Sequence, residues 1–384
     1  MNSIEILRRL VAFETVSRTP NIELIDFVAN LLREAGIEPT IDHAKHGSNA
    51  NLYATIGPDS AGGVMLSGHT DVVPITGQDW HYPPFTLTEA DGRLYGRGTA
   101  DMKGFVACAI RAMCIAAKQR LKIPLHLALS YDEEVGCVGV RSLLHKLEDL
   151  PHRPRYAIIG EPTNLGVAIG HKGKCALHVE FIGRSVHSAL APTGTNAIYL
   201  ASEFIEAVKA LQAELAQTGH RDHAYDIPYS TVHVGILNGG TALNIVPASA
   251  TIDFEIRHVA EDAPQALIER LHEAAQNIVT RSRNNGSEAD VHFEVVNQYP
   301  GLDTPEDADI VDFLTSLTGA NTTHKVAFGT EAGLFSGDLG IESVVCGPGS
   351  MDQGHKPDEF VTVEQMNRCD ALLESLTHAL RTGL

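Results

Sequence analysis

The chain lacks the features that mark several large classes of protein. No apolar run is long enough to span a bilayer. The first residues, MNSIEILRRLVAFETVS, are interrupted by charges at Glu5, Arg8, Arg9 and Glu14, which a secretory signal does not have. There is also no GxSxG elbow, HExxH pair or P-loop. We therefore expect a cytoplasmic protein whose chemistry does not use these nucleophile, zinc-protease or phosphate-binding motifs.

Cysteine is scarce and the cysteines are scattered. No two of them form a CxxC pair. The cysteines are Cys108, Cys114, Cys137, Cys175, Cys346 and Cys369. This pattern indicates neither a disulfide framework nor a thiolate zinc site, and we expect reduced residues in the core.

Basic residues are outnumbered by acidic ones. The chain has 29 Lys and Arg against 48 Asp and Glu, which gives a formal net charge of -19. Nucleic acids and anionic membranes are bound through clustered Lys and Arg, so neither is expected as a partner. A cationic ligand or metal ions suit this charge, although an acidic surface can also serve solubility alone.

The order of apolar segments predicts an α/β domain in the first part of the chain. With 384 residues, two domains are expected. Up to residue 172, helical periods alternate with short apolar runs, which indicates a largely parallel sheet. The expected helices cover 22–35 and 104–117, and the expected strands cover 64–67, 124–130 and 156–159.

A second rhythm begins near residue 173. Its segments follow the order βαββαβ, typical of a small α+β domain with an antiparallel sheet. They are 175–182, 196–215, 231–236, 250–257, 264–279 and 291–296. Residues 299–384 return to α/β character, with a strand at 343–346 and a helix at 363–381. We therefore expect a mixed, mostly parallel sheet flanked by helices in 1–172 and 299–384, with 173–298 inserted.

Acids and histidines follow the apolar strands or glycine-rich turns. They are His69 and Asp71 in SGHTDVVP, Asp101 in YGRGTADMKG, Glu133 and Glu134 in LSYDEEVG, Glu161 in IIGEPT, and His355 in GPGSMDQGHKPDEF. Each one alone is typical of a turn, a cap or a packed side chain. Five such places with the same donor chemistry are hard to explain as turns only.

Imidazole and carboxylate without thiolate favour zinc, manganese or cobalt. One His and one acid for each metal, joined by a shared carboxylate, would build a two-metal site. The residues suffice for this arrangement and leave Glu133 and Asp71 over. His69 and Asp71 share one side of an extended segment, so Asp71 can orient the imidazole of His69.

The adjacent Glu133 and Glu134 cannot both point the same way on extended backbone. One can bind metal while the other remains free as a general base that takes a proton from water and passes it to a leaving nitrogen. Two solvated surface acids are the alternative, but the pair follows the apolar run LHLALS, which is expected to be buried.

Taken together, GHTDVVP, GRGTADMKG, DEEVG, GEPT and GHKPDE resemble the motifs of the co-catalytic di-zinc amidohydrolases and peptidases. The resemblance extends over essentially the whole chain. It implies two Zn²⁺ per subunit, for which Co²⁺ or Mn²⁺ can substitute. By this resemblance, His69 and Glu161 would bind one zinc, Glu134 and His355 would bind the other, and Asp101 would bridge the two. Glu133 would be the general base, and Asp71 would be the acid that contacts His69 from behind.

The resemblance also implies functions for the inserted domain. It would act as a lid, and the chain would form a homodimer through it. His187 in GRSVHSA matches a lid histidine that reaches the partner subunit's site and steadies the oxyanion. Asn244 in ALNIVP and Arg257 in FEIRH match substrate contacts, Arg257 suiting an α-carboxylate; a surface arginine at a strand end is the alternative. Thr330 and Glu331 in FGTEAG match the pocket wall, with Glu331 as a partner for a substrate cation.

The implied reaction is hydrolysis of a small N-acyl amino acid. Within the family, TADMKG, IIGEPT, HKG and GPGSMDQGHKPDEF match enzymes that convert N2-acetyl-L-ornithine to acetate and L-ornithine in arginine biosynthesis. Hydrolysis of succinyl-diaminopimelate, of another N-acyl amino acid or of a dipeptide stays open. A non-catalytic metal-binding protein is a further alternative, against which the spare acid Glu133 argues.

Overall fold

The computed structural model describes residues 1–60 and 62–383. Two compact units make up the fold. Unit 1 comprises Met1–His171, Leu302–Val326 and Thr330–Leu384, and unit 2 comprises Lys172–Gly301 and Ala327–Gly329. Among the described residues, none of the helices combines the length and the apolar character needed to cross a membrane.

The strands are numbered in chain order. They are Thr40–His43 (β1), Ala50–Ile56 (β2), Val64–His69 (β3), Thr88–Ala90 (β4), Arg93–Tyr95 (β5), Leu125–Ser130 (β6), Tyr156–Pro162 (β7), Val167–His171 (β8), Gly173–Ile182 (β9), Thr231–Gly239 (β10), Ser249–His258 (β11), Asp290–Tyr299 (β12), Leu302–Asp303 (β13), Thr323–Val326 (β14), Glu342–Gly347 (β15) and Phe360–Thr362 (β16).

The helices are numbered in the same way. They are Ser3–Val11 (α1), Ile22–Glu34 (α2), Lys103–Ala116 (α3), Val140–Glu148 (α4), Ala197–Thr218 (α5), Pro264–Asn284 (α6), Asp309–Thr318 (α7), Ala332–Leu339 (α8) and Val363–Thr382 (α9).

The main sheet of unit 1 has the strand order β1-β2-β6-β3-β7-β15-β8-β13, and β14 also pairs with β8. Its central strands β6, β3, β7 and β15 are parallel, whereas β1, β2 and β13 pair antiparallel with their neighbours. Every residue of β3, β6 and β7 is buried, because helices flank the sheet. The predicted mixed, mostly parallel sheet flanked by helices is confirmed.

The parallel strands place the predicted site residues at one edge of this sheet. β3 ends at His69, and β6 ends shortly before Glu133. β7 carries Glu161, and β15 leads into the loop that contains His355. The carboxyl ends of parallel strands lie side by side, and ligands of open α/β sheets bind there.

A small second sheet in unit 1 has the strand order β16-β5-β4. In it, β16 pairs antiparallel with β5, with Phe360 opposite Tyr95. The segment with Asp101 begins just after β5, and the segment with His355 ends just before β16. Three-residue strands are too short to show an alternating pattern, and the sequence did not predict this sheet.

Unit 2 contains the elements β9, α5, β10, β11, α6 and β12, in the order βαββαβ. Its sheet is antiparallel, with strand order β10-β11-β9-β12. Residues of β9 alternate between buried and half-buried, because helices α5 and α6 cover one face. α6 extends to Asn284, beyond the expected 264–279, because its last turn is polar and continues without the apolar period.

Candidate metal centre

Asp101 lies between two histidines that are far apart in the sequence. Its Oδ1 is 3.0 Å from Nε2 of His69, and its Oδ2 is 3.1 Å from Nε2 of His355. His69 is the last residue of β3, Asp101 precedes α3, and His355 lies in the loop after β15. The two carboxylate oxygens therefore face different imidazoles, which is the geometry of a bridging acid.

Each histidine also lies near a second carboxylate. Nε2 of His69 is 3.7 Å from Oε1 of Glu161, and Nε2 of His355 is 3.0 Å from Oε1 of Glu134. The five side chains thus form the series Glu161, His69, Asp101, His355, Glu134. This is the grouping that the sequence analysis expects for two metals that share one acid.

Glu133 belongs to the same cluster. Ligand atoms of His69, Glu133 and Glu161 lie within 4.8 Å of one another, and so do those of His69, Asp101 and Glu134. Glu133 therefore reaches the same space as the predicted ligands of the first metal. Its role as a free base, and not a ligand, stays a prediction.

Burial and mutual repulsion shift the pKa values of these acids upward. Burial and the charge of Asp101 raise the pKa of Glu134 to about 7. The same two causes raise the pKa of Glu161 well above its usual range. Burial is also the main cause of the strongly raised pKa of Glu133.

The pKa of Asp101 is lowered, and the pKa values of His69 and His355 are raised. Burial alone would raise the pKa of Asp101, but hydrogen bonds from His355 and His69 outweigh it and hold the pKa of Asp101 below its usual range. Hydrogen bonds to Asp101 and Glu134 raise the pKa of His355 to about 10. Burial lowers the pKa of His69, but its carboxylate partners raise it by more, so the pKa of His69 lies above its usual range.

This donor set fits divalent metal ions. Nitrogen and carboxylate oxygen without thiolate are the ligands that zinc, cobalt and manganese accept. Several acids held together away from solvent repel one another, and cations between them relieve that repulsion. The residues present therefore match a two-metal centre.

Asp71 contacts more of the site than His69 alone. Its Oδ1 lies 3.5 Å from Nδ1 of His69, while the shorter contact of that nitrogen, at 3.0 Å, is with the carbonyl oxygen of Asp71. The carboxylate also accepts hydrogen bonds from the backbone N–H of Glu133 at 3.0 Å and of Glu134 at 3.3 Å. Ser17 donates its hydroxyl to the same group at 2.7 Å. Asp71 therefore contacts the Glu133–Glu134 segment as well as His69.

Two contact residues have no signal in the sequence. Ser17 precedes the described motifs by about fifty residues, and only the fold brings it to Asp71. The thiol of Cys137 donates to Oε1 of Glu133 at 3.4 Å, and the N–H of Cys137 donates to the carbonyl oxygen of Glu133 at 2.8 Å. Cys137 was expected only as a core residue, and it is buried.

Thr330 and Glu331 are buried at the start of α8. The hydroxyl oxygen of Thr330 accepts the N–H of Ala332 at 3.0 Å. Burial raises the pKa of Glu331 to about 7. Within residues 1–60 and 62–383, Oε1 of Glu331 has no hydrogen-bond partner. Glu331 is near enough for its charge to raise the pKa of Glu133.

The remaining predicted residues lie in unit 2. His187 caps a short 3-10 helix, Ser188–Thr193, by accepting the N–H of Ala189 on Nδ1 at 3.1 Å. A neutral imidazole that accepts on Nδ1 carries its proton on Nε2, which is then a donor. Asn244 is exposed, and its backbone carbonyl oxygen accepts the N–H of Ser188 at 2.9 Å.

Arg257 is half-buried and already has partners. Its Nε lies 3.1 Å from Oε1 of Glu255, and its Nη1 donates to the hydroxyl of Tyr299 at 3.3 Å. Glu255 also lies 3.5 Å from Nζ of Lys174. A substrate carboxylate at Arg257 would therefore compete with Glu255 for the guanidinium.

Known proteins resemble the chain over almost its whole length. A sequence model of peptidase family M20/M25/M40 matches residues 65–379. The acetylornithine deacetylase of Myxococcus xanthus is 36% identical over 373 residues, which cover 96% of this chain and 94% of that one. The acetylornithine deacetylase of Shigella sonnei is 33% identical over 382 residues, covering 98% and 97%.

A solved structure has the same fold. An M20 family metallo-carboxypeptidase from Sulfolobus solfataricus superposes with a TM-score of 0.76 at 19% identity, with all of both chains covered. The site and the fold define the chain as a metal-dependent amidohydrolase. It belongs to the peptidase M20/M25/M40 family.

Proposed function

We propose that the protein hydrolyses N2-acetyl-L-ornithine to acetate and L-ornithine, a step of arginine biosynthesis in the cytoplasm. The observation that carries the proposal is the series of acids and histidines around the buried Asp101, whose carboxylate oxygens lie 3.0 and 3.1 Å from the two imidazoles. The choice of substrate is supported by relatives that are named acetylornithine deacetylase and match nearly the whole chain.

In this proposal, two Zn²⁺ ions bind to each subunit, and Co²⁺ or Mn²⁺ can replace them. His69 and Glu161 hold one ion, Glu134 and His355 hold the other, and Asp101 holds both. When bound, such a pair supplies Lewis acidity and lowers the pKa of water. Asp71 fixes the ring of His69 and the backbone of Glu133 and Glu134 through its hydrogen bonds.

Glu133 is the proposed general base. Its carboxylate takes a proton from the attacking water and then delivers it to the departing amine of ornithine. Burial and the charges of Glu134 and Glu331 raise the pKa of Glu133 well above its usual range, and a raised pKa makes the carboxylate a stronger base. The thiol of Cys137 keeps one carboxylate oxygen in place at 3.4 Å.

Unit 2, which contains the inserted segment 173–298 expected from the sequence, is proposed as a lid and dimerisation domain. His187 would donate from Nε2 to the oxyanion that forms at the acetyl carbonyl, either across a homodimer or within one chain. Apolar side chains on unit 2 support a subunit interface. Ile236 and Leu237 on the edge strand β10 are 53% and 48% exposed, and Tyr199 on α5 is 69% exposed.

Substrate recognition is proposed for four residues. Arg257 would hold the α-carboxylate in exchange for Glu255, and Asn244 would contact the substrate nearby. Thr330 would form part of the pocket wall. Glu331, whose Oε1 lacks a hydrogen-bond partner in the described part of the chain, would attract the side-chain cation of ornithine.

The alternative within the family is the same chemistry on another substrate. Turnover of N2-acetyl-L-ornithine, N-succinyl-L,L-diaminopimelate, N-acetylmethionine and an unblocked dipeptide should be measured side by side at saturating zinc. We expect acetylornithine to have the highest kcat/KM. A higher value for another compound would move the function within the family, and no turnover of any would favour a non-catalytic metal-binding protein.

A further inference from the structure

Glu359 is a buried acid that contacts the segment of the bridging ligand. Its side chain is 1% exposed. Oε1 accepts the backbone N–H of Ala100 at 2.9 Å and of Asp101 at 3.1 Å, and Oε2 accepts the N–H of Gly98 at 3.0 Å. Only an acceptor at both oxygens satisfies these donors, so the carboxylate determines the path of the backbone at Asp101.

Arg97 joins this acid to the segment of His355. Its Nη1 lies 2.7 Å from Oε2 of Glu359, and its Nη2 donates to Oε1 of Gln78 at 2.6 Å. Nε2 of Gln78 donates to the carbonyl oxygen of His355 at 2.9 Å. Arg97 is 1% exposed, and its guanidinium lies 4.9 Å from the ring of Trp80.

The backbone at His355 needs such support. Its φ is +61°, in the left-handed region that favours glycine. A conformation of this kind persists where the surrounding structure determines it. The hydrogen bond from Gln78 and the pairing of β16 with β5, which ends next to Glu359, both restrain this loop.

We propose that Arg97, Glu359 and Gln78 form a positioning device that holds Asp101 and His355 at the separation that the second metal ion requires. This inference rests on the proposed two-metal site. The first metal has His69 and Glu161 on the buried central strands β3 and β7, whereas His355 depends on a loop. Loss of the device should therefore weaken binding of the second metal ion more than binding of the first.

Two variants test the device. Glu359→Gln places an amide donor against backbone N–H groups, and Gln78→Ala removes the contact with His355 at a half-buried position. Replacing residues behind metal ligands usually costs about 10- to 100-fold in metal affinity. Asp42→Asn is the matched control. Asp42 lies in the edge strand β1 and is a buried acid whose carboxylate accepts hydrogen bonds from Ser142 and Asn51.

The measurement is calorimetric titration of the metal-free full chain with Zn²⁺, together with metal analysis and the melting temperature. We expect Glu359→Gln to lose about 10- to 100-fold in affinity for one ion of the two, Gln78→Ala to lose less, and Asp42→Asn to retain both affinities. If both site variants kept the wild-type zinc affinities and only their melting temperatures fell, Arg97 and Glu359 would be a structural ion pair without a role in metal binding, and the proposal would be wrong. A wild-type chain that binds fewer than two ions would refute the two-metal site and, with it, this inference.

Discussion

The carboxylate of Asp71 accepts a hydrogen bond from the backbone N–H of Glu133, with 3.0 Å between Oδ1 and the nitrogen. The same side chain accepts the N–H of Glu134 and lies 3.5 Å from the ring of His69. One acid near the end of β3 therefore connects a predicted ligand of each metal with the predicted base. Its removal should disturb the whole centre and not His69 alone.

Asp71→Asn tests this connection. The amide oxygen can replace one carboxylate oxygen, but the NH2 group then faces either the N–H of Glu133 or, on the other side, the N–H of Glu134 and the hydroxyl of Ser17. We expect kcat for acetylornithine to fall about 10- to 100-fold, the usual effect of replacing a group behind metal ligands. Ser17→Ala, which leaves both backbone contacts of Asp71, is the control and should lose less. Equal kcat for Asp71→Asn and wild type would show that this contact has no catalytic importance.

Glu133→Gln separates proton transfer from metal binding. Glutamine has nearly the same shape and cannot carry the proton, so kcat should fall by about 100- to 10,000-fold, the range for general acid–base catalysis. Metal content, measured by elemental analysis, should stay at the wild-type value. A variant that loses metal as well would identify Glu133 as a ligand.

His355→Ala should remove one metal ion. Its imidazole contacts both Asp101 and Glu134, and its loss leaves the second metal with carboxylates alone. We expect the zinc content of the purified variant to fall towards one ion per chain and turnover to be lost. Retention of both ions at wild-type affinity would contradict the assignment of His355.

Mixed dimers test where His187 acts. His187→Ala and Glu133→Gln should each be nearly inactive alone. If His187 serves the partner subunit, mixing the two variants under conditions of subunit exchange should restore part of the activity, because half of the sites in each mixed dimer have both groups intact. Exchange can be followed by native mass spectrometry of differently tagged chains. Mixed dimers without activity would place His187 and Glu133 of one chain in the same site.

Long buried elements were predictable from the sequence because their apolar patterns are strong. β3, β6 and β7 are wholly buried and produce continuous apolar runs, and β9 alternates as a half-buried strand should. The strand ends also indicated where His69, Glu133 and Glu161 would meet. Short edge strands such as β4, β5 and β16 carry too few residues for any pattern.

The interactions that surround the predicted ligands were not predictable in the same way. Arg97 and Glu359 lie within recognisable motifs, yet nothing in the local sequence shows that they meet across the β5–β16 pair. Ser17 and Cys137 are ordinary residue types whose roles depend on tertiary contacts with Asp71 and Glu133. Arg257 was expected to be available for a substrate, and the structure shows it paired with Glu255.

The most direct test of metal-dependent amide hydrolysis is acetate release from N2-acetyl-L-ornithine by chelated protein during stepwise return of Zn²⁺. The proposal predicts that chelation abolishes acetate release and that activity returns as zinc is added, reaching its maximum by two ions per chain. Acetate release that persists after the metal has been removed, or that stays absent at saturating zinc, would contradict it.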